Sequence, residues 1–318
     1  MWHCYWRLSW YPPLSYDYFS LRPVLFISFS ILEPHMNKAR PNRRLTLSFT
    51  DYALLAYSAC IFLLVVLAYV LALCGKTPHN PDDMALNVIL GKPLQDGFIL
   101  GTDYLGRDIL SRLIYGVEAY FLPGMLAVSI ATGFGALLGA LAIISRKRIR
   151  QLINFTNRFL QIIPRLVLLL LLIAIFEPGI FLIMTVIGIV NIPSVATLVS
   201  ARVEILRDKR FVDFARSCGA PLHAIIFKHL LWYNCRSLLI SLSAIIMAEA
   251  ILLETSLSYL GFGTQEPTPS WGNMVQAGAN YLLQGDIWSS TIPALAIMLV
   301  LSALYLFSHT IVRILDGK

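Results

Sequence analysis

The chain has 318 residues, of which 57% are hydrophobic and only 14% charged. A soluble domain carries about 25% charged residues, so the composition argues against a soluble globular enzyme, and equally against disorder, collagen or a disulfide scaffold. The formal net charge of +7 would raise nucleic acid as a partner of a soluble protein, but in a polytopic membrane protein a basic surplus marks the cytoplasmic loops.

Residues 1–35 contain an apolar run, Pro23 to Leu32, that is too short to span a bilayer and is followed by no A-x-A-like cleavage site. Met36 opens a basic stretch ending at Arg44. We expect the native chain to start at Met36, with 1–35 an N-terminal extension. Six segments then reach the roughly 20 apolar residues that cross a hydrocarbon core. They run from about Tyr52 to Cys74, Tyr120 to Ile144, Phe159 to Phe176, Ile180 to Val199, Ser237 to Leu257 and Trp288 to Val312. The expected fold is all-α, a polytopic bundle of six transmembrane helices. In the second span Gly135 and Gly139 are four apart, a small-residue pattern that lets helices approach closely.

Lys and Arg are distributed unevenly about these spans. Twenty of the 25 fall before the first span, between the second and third, between the fourth and fifth, or after the sixth. The other side holds only Lys76, Lys92, Arg107 and Arg112, and Arg165 lies inside the third span. Basic residues favour the cytoplasmic side, so both termini are expected in the cytoplasm and loops 75–119, 177–179 and 258–287 outside.

Few residues suggest catalysis. Gly75-Lys76-Thr77 resembles the end of a P-loop, but Val70 stands where the first glycine belongs. None of the six histidines sits three or four residues from another, so no helical metal pair forms, and five cysteines without a C-x-x-C pair indicate neither a zinc site nor a disulfide framework. No catalytic residue, metal or cofactor is expected. Glu249, Glu254 and Arg165 lie within spans, where ionisable residues are functional candidates, although snorkelling or pairing across the bundle also accounts for them. Asp103–Arg107 and Asp108–Arg112 are each four apart, the spacing of helical ion pairs.

The loop between the fourth and fifth spans, 200–236, reads as helix, turn, helix, broken at Gly219-Ala220-Pro221. Leu222, Ile225, Ile226, His229 and Leu230 give its second piece one apolar face. Composition leaves open whether this hairpin lies on the bilayer or docks a soluble partner.

Three blocks resemble a known family. Phe211-Val212-Asp213-Phe214-Ala215-Arg216-Ser217-Cys218-Gly219, with His229-Leu230-Leu231-Trp232, is similar to the EAA loop of ABC importer permeases. There Asp213 stands for Glu, Phe214 and Ala215 for the two Ala, and Trp232 for Pro, while Gly219 and Leu231 match. The block from Leu100 to Arg112 resembles the GTD-x-LGRD-x-LSR signature through Gly101, Thr102, Asp103, Gly106, Arg107 and Asp108. The block from Glu254 to Gly263, continuing through Pro267 to Gly272, resembles EAsLSFLGLG…PtPSWG through Glu254, Ser256, Leu257 and Gly261. Both blocks belong to the C-type permease of dipeptide, oligopeptide and nickel importers. Departures are Arg146-Lys147-Arg148 in place of Gly-Gly and Arg158 in place of an acidic residue before Pro164.

The resemblance covers about 50–318 and implies a type I permease fold over 36–318, with a core at 105–318 and a cytoplasmic coupling loop at 200–236. It implies a non-enzymatic transport subunit in a bacterial cytoplasmic (inner) membrane. Its partners would be a second homologous permease, two cytoplasmic ATPase subunits, a periplasmic or extracellular solute-binding protein and the lipid bilayer, with no nucleic acid. Peptides are the expected cargo, nickel chelates or antimicrobial peptides the alternatives. A secondary transporter driven by an ion gradient is the rival; it should show repeated halves with broken helices, and no inverted repeat is visible.

Overall fold

A computed structural model describes residues 49–145, 147–176, 179–207, 217, 219, 221 and 231–316. These residues form nine α-helices and no strand: α1 (Phe49–Leu73), α2 (Ile109–Gly116), α3 (Phe121–Ile144), α4 (Lys147–Ile162), α5 (Arg165–Ile175), α6 (Ile180–Arg207), α7 (Arg236–Tyr259), α8 (Trp271–Ala279) and α9 (Trp288–Asp316). Five helical stretches are long and apolar enough to cross a membrane, and six if the bent pair α4–α5 counts as one span.

That pair corrects the expected third span. Phe159–Phe176 is not one helix, because α4 and α5 meet at 81°. Pro164 lacks an N–H, clashes with the carbonyl four residues earlier and disfavours helix at Ile163. It instead starts the next helix, its carbonyl accepting Leu168 N at 3.1 Å. With 11 residues, α5 is about 16 Å long at about 1.5 Å per residue, half of a hydrocarbon core. The fourth span is longer than expected: α6 continues to Arg207, so the first turns of the 200–236 loop prolong the span.

Helix packing follows side-chain size. The face of α3 is lined with small residues, and α3 lies closest against α6. A Cβ on Gly135 would stand 2.5 Å from Val195, and one on Gly139 would stand 2.7 Å from the Ala196 carbonyl. The core divides into two apolar layers. One, next to the 75–119 loop, gathers Ile109, Tyr120, Ile187, Ala250, Leu257 and Trp271; the other gathers Ala140, Val195, Val199, Leu231, Leu242 and Ile246.

At the end remote from that loop, ion pairs tie helix termini together. Asp51 in the first turn of α1 accepts from Arg313 in the last turn of α9 at 2.7 Å, each charge favourably placed against its helix dipole. Asp316 closes α9 against Arg202 of α6 at 3.0 Å and accepts a bond from the Ser237 hydroxyl of α7.

Candidate functional site

The block Gly101–Asp108 is a knot of turns rather than a helix. Asp103 folds the chain back on itself: its Oδ1 accepts the backbone N–H groups of Leu105 and Arg107, both at 2.9 Å, and its Oδ2 accepts Arg107 Nε at 2.7 Å. The knot hooks into the preceding loop through its backbone. Thr102 N bonds Gly91 O at 3.1 Å, Ala85 N bonds Gly106 O at 3.0 Å and Leu90 N bonds Asp103 O at 3.1 Å, while Thr102 Oγ1 accepts Gly91 N at 2.8 Å. Such close approach requires glycine. Gly101 and Gly106 have φ of +82° and +77°, a region other residues rarely adopt. Added Cβ atoms would stand 2.2 Å from Gly91 O and 2.4 Å from Ala85 O.

Asp108 is the N-cap of α2, accepting Leu110 N at 3.3 Å, Ser111 N at 3.1 Å and Ser111 Oγ at 2.6 Å. His79 reaches it from the preceding loop, with Nδ1 at 3.4 Å. The expected helical ion pairs are therefore corrected. Asp103–Arg107 is a pair, but within a turn. Asp108–Arg112 is not found among the ion pairs of the described residues: Asp108 is turned onto the N-terminal N–H groups of α2, and Arg112 points elsewhere.

Both arginines are buried, Arg107 at 2% and Arg112 at 1% exposure, and both converge on Glu266, a residue that sequence reasoning missed. Arg107 grips the Glu266 carboxylate through Nη1 and Nη2, and Arg112 Nη2 shares its Oε1 at 3.3 Å. Arg112 Nη1 also donates to Pro81 O and Pro267 O, each at 3.4 Å. Two buried guanidiniums thus clasp the 79–108 loop to the 260–270 loop. Burial works against the Arg107 charge, but the bond to Glu266 and the charge of Asp103 outweigh it, so the guanidinium pKa lies above its ordinary value. Burial and the Glu266 charge raise the phenol pKa of Tyr104, whose ring stacks on Tyr281 at 5.2 Å.

The third block completes the clasp. Glu254, fully buried, accepts Ser258 Oγ at 2.6 Å and Thr264 Oγ1 at 3.2 Å, folding the chain after α7 back onto that helix. Leu257 is a core residue, Gly261 makes the turn with φ +83°, and the Ser256 hydroxyl donates to the Leu252 carbonyl of its own helix at 2.7 Å. Ser270 and Asn273 form a reciprocal capping box at the start of α8. Trp271 Nε1 donates to Leu113 O at 2.9 Å and Gly272 N to Tyr120 Oη at 3.1 Å, binding α8 to α2 and to the N-cap residue of α3. Trp271→Phe keeps an aromatic six-membered ring but removes the first bond and the pyrrole part of a nearly buried side chain, so the unfolding midpoint in detergent should fall by the equivalent of about 2 kcal/mol; an unchanged midpoint would show that neither the bond nor the packing at this position contributes. Between Tyr104, Ser258, Glu266, Gln276 and Tyr281 lies a polar cavity of about 250 Å³.

Of the coupling-loop residues, Asp213, Phe214 and Ala215 lie outside the described residues. Gly219 has φ +77°, with nothing among the described residues within 4 Å of an added Cβ, and Leu231 packs in the second core layer with Cys235 and Leu242.

The family described as "Binding-protein-dependent transport system inner membrane component" matches residues 131–318, more than half the chain and all of it from the middle of α3 onward. The chain belongs to this family. It is a membrane permease component of an ABC transporter, not an enzyme; ATP hydrolysis in such systems is carried by a separate ATPase subunit, and the family works with a second permease and a substrate-binding partner. Among similar proteins, the di/tripeptide transport system permease protein DppC of Pseudomonas aeruginosa is 33% identical, covering 83% of this chain and 88% of the relative. The probable D,D-dipeptide transport system permease protein DdpC of Escherichia coli is also 33% identical, covering 82% and 86%. The oligopeptide transport system permease protein OppC of Haemophilus influenzae is 30% identical, covering 82% and 85%. All three alignments are too long to be confined to the family match, so the resemblance extends N-terminally beyond α3.

Proposed function

We propose that this permease subunit carries short peptides across the inner membrane of a bacterium, in a complex of two permeases, two cytoplasmic ATPases and an external solute-binding protein. The observation that carries this reading is the similarity, over more than four-fifths of the chain, to relatives named as di/tripeptide, D,D-dipeptide and oligopeptide permeases. The charge asymmetry supports an orientation with both termini in the cytoplasm. The clasp joining 79–108 to 260–270 then faces outward, as a rigid surface over which solute arrives.

In this reading the loop at 200–236 docks on an ATPase and transmits its closure to the bundle, a rigid-body switch between two packed states. The span helix α6 runs unbroken to Arg207, and Leu231 anchors the returning segment in the core, so displacement of the loop is delivered directly to α6 and α7. Gly219 makes the turn between. Its left-handed backbone costs a side-chain-bearing residue about 1–2 kcal/mol, and among the described residues nothing lies within 4 Å of an added Cβ. Gly219→Val should therefore insert at wild-type levels while solute-stimulated uptake falls about tenfold or more. Undiminished uptake would remove this glycine from the coupling step.

The reading is tested by uptake of labelled dipeptides, oligopeptides and nickel in a strain lacking this subunit, with and without the restored gene. Restored peptide uptake with unchanged nickel uptake is expected. Restoration of nickel uptake alone would overturn the peptide assignment.

A further inference from the structure

The break between α4 and α5 sets a polar cluster in the middle of an apolar bundle. Arg165, the first residue of α5, pairs through Nη1 with Glu249 of α7, and its Nη2 donates to Ser194 Oγ of α6 at 2.9 Å. One turn earlier, Gln161 Nε2 of α4 reaches Pro193 O and Thr197 Oγ1 of α6, both at 3.1 Å. Glu249 is the fourteenth of the 24 residues of α7 and Ser194 the fifteenth of the 28 of α6, so the cluster lies half-way along both. The two apolar core layers meet there: Ile187 and Ala250 belong to one, Val195 and Ile246 to the other.

These side chains are half-buried, not enclosed; Arg165 is 27% and Glu249 21% exposed. Opening that exposed part onto lipid would leave guanidinium and carboxylate in hydrocarbon. Intramembrane charges instead face the bundle interior or a water-filled cavity, and interrupted helices near the midplane are where transporters of other folds hold their solute.

We propose that Arg165 and Glu249 form a charge-selective station on the solute path, Arg165 receiving an anionic group of a passing peptide and Glu249 a cationic one. The proposal rests on the peptide-import reading above. A guanidinium offers five N–H donors in a planar fork, of which the bonds to Glu249 and Ser194 occupy two. A peptide carboxylate arriving beside it competes with Glu249 for the fork and frees Glu249 to receive an ammonium group. The zwitterion replaces one ion pair by two, and the original pair re-forms behind it. At no point is a buried charge left without a counter-charge, the situation that is most costly.

The test uses the complete complex in proteoliposomes, with one tripeptide and its C-amidated and N-acetylated forms delivered by the same binding protein. Glu249→Gln should slow uptake of the C-amidated peptide, which keeps only its ammonium, about tenfold and of the N-acetylated peptide, which keeps only its carboxylate, no more than about twofold, and Arg165→Gln should do the reverse. Equal losses for both modified peptides would overturn the station and leave the pair a packing contact. Should a single variant fail to assemble, Arg165→Gln/Glu249→Gln, which strands no charge, decides. Uptake of both modified peptides about tenfold slower with stimulated ATP hydrolysis retained supports the station; uptake at the wild-type rate overturns it. A wild-type complex that does not take up the unmodified tripeptide overturns the peptide reading itself, and the station with it.

Discussion

Arg107→Met should lower stability by about 3 kcal/mol, because removing one partner of a buried ion pair leaves the other uncompensated. Arg107 is the hub of the clasp: it holds Asp103 within its own turn and grips Glu266 from the far loop. Methionine fills the same space but leaves Arg112 alone to face two carboxylates, Asp103 at 3.9 Å and Glu266 at 3.3 Å, and Asp103 is almost buried at 8% exposure. Glu266 is more open, with its side chain 38% exposed, and can partly rehydrate, which keeps the cost at the lower end of the usual range. Arg107→Lys keeps the charge but cannot reproduce a planar fork, and should recover only part of the loss. Thermal unfolding of the purified subunit in detergent gives the comparison. If the methionine variant unfolds at the wild-type temperature, the clasp does not hold the two loops together.

Gly101→Ala should be comparably damaging, and Gly97→Ala provides its control. Both glycines have positive φ, +82° and +88°, so both substitutions incur the left-handed penalty of about 1 kcal/mol or slightly more. A Cβ on Gly97 meets nothing among the described residues within 4 Å, whereas one on Gly101 would lie 2.2 Å from Gly91 O. That contact is with backbone, which cannot rotate away, so the hydrogen bond from Thr102 N to Gly91 O must open as well. Gly101→Ala should therefore cost about 3 kcal/mol in total and Gly97→Ala about 1 kcal/mol. Equal destabilisation of the two variants would show that the knot tolerates displacement at Gly101.

The sequence made five of the six apolar spans legible because each is long and nearly free of charge, and the pair Gly135 and Gly139 pointed correctly to close helix packing. The signature blocks were legible as motifs, but their geometry was not. A spacing of four suggested helical pairs for Asp103–Arg107 and Asp108–Arg112, but α2 begins only at Ile109, and the aspartate before it is drawn onto the N–H groups of the first turn. No local signal identified Glu266, since it lies more than 150 residues from both arginines it joins. Pro164 was visible near a span end, but the size of its consequence, an 81° bend, was not, nor were the bonds that Gln161 and Arg165 make on either side of it to the middle of α6. Arg165 and Glu249 were each recognisable as intramembrane charges; only the fold brings them together.

ATP-driven uptake of a labelled dipeptide into proteoliposomes tests the central claim most directly. The vesicles would contain this subunit with its partner permease and ATPases, and the loaded binding protein would be added on the other face. Accumulation should require both ATP and the binding protein, and should vanish when the ATPases are omitted. Accumulation by this subunit alone, driven by an ion gradient without ATP, would contradict the account.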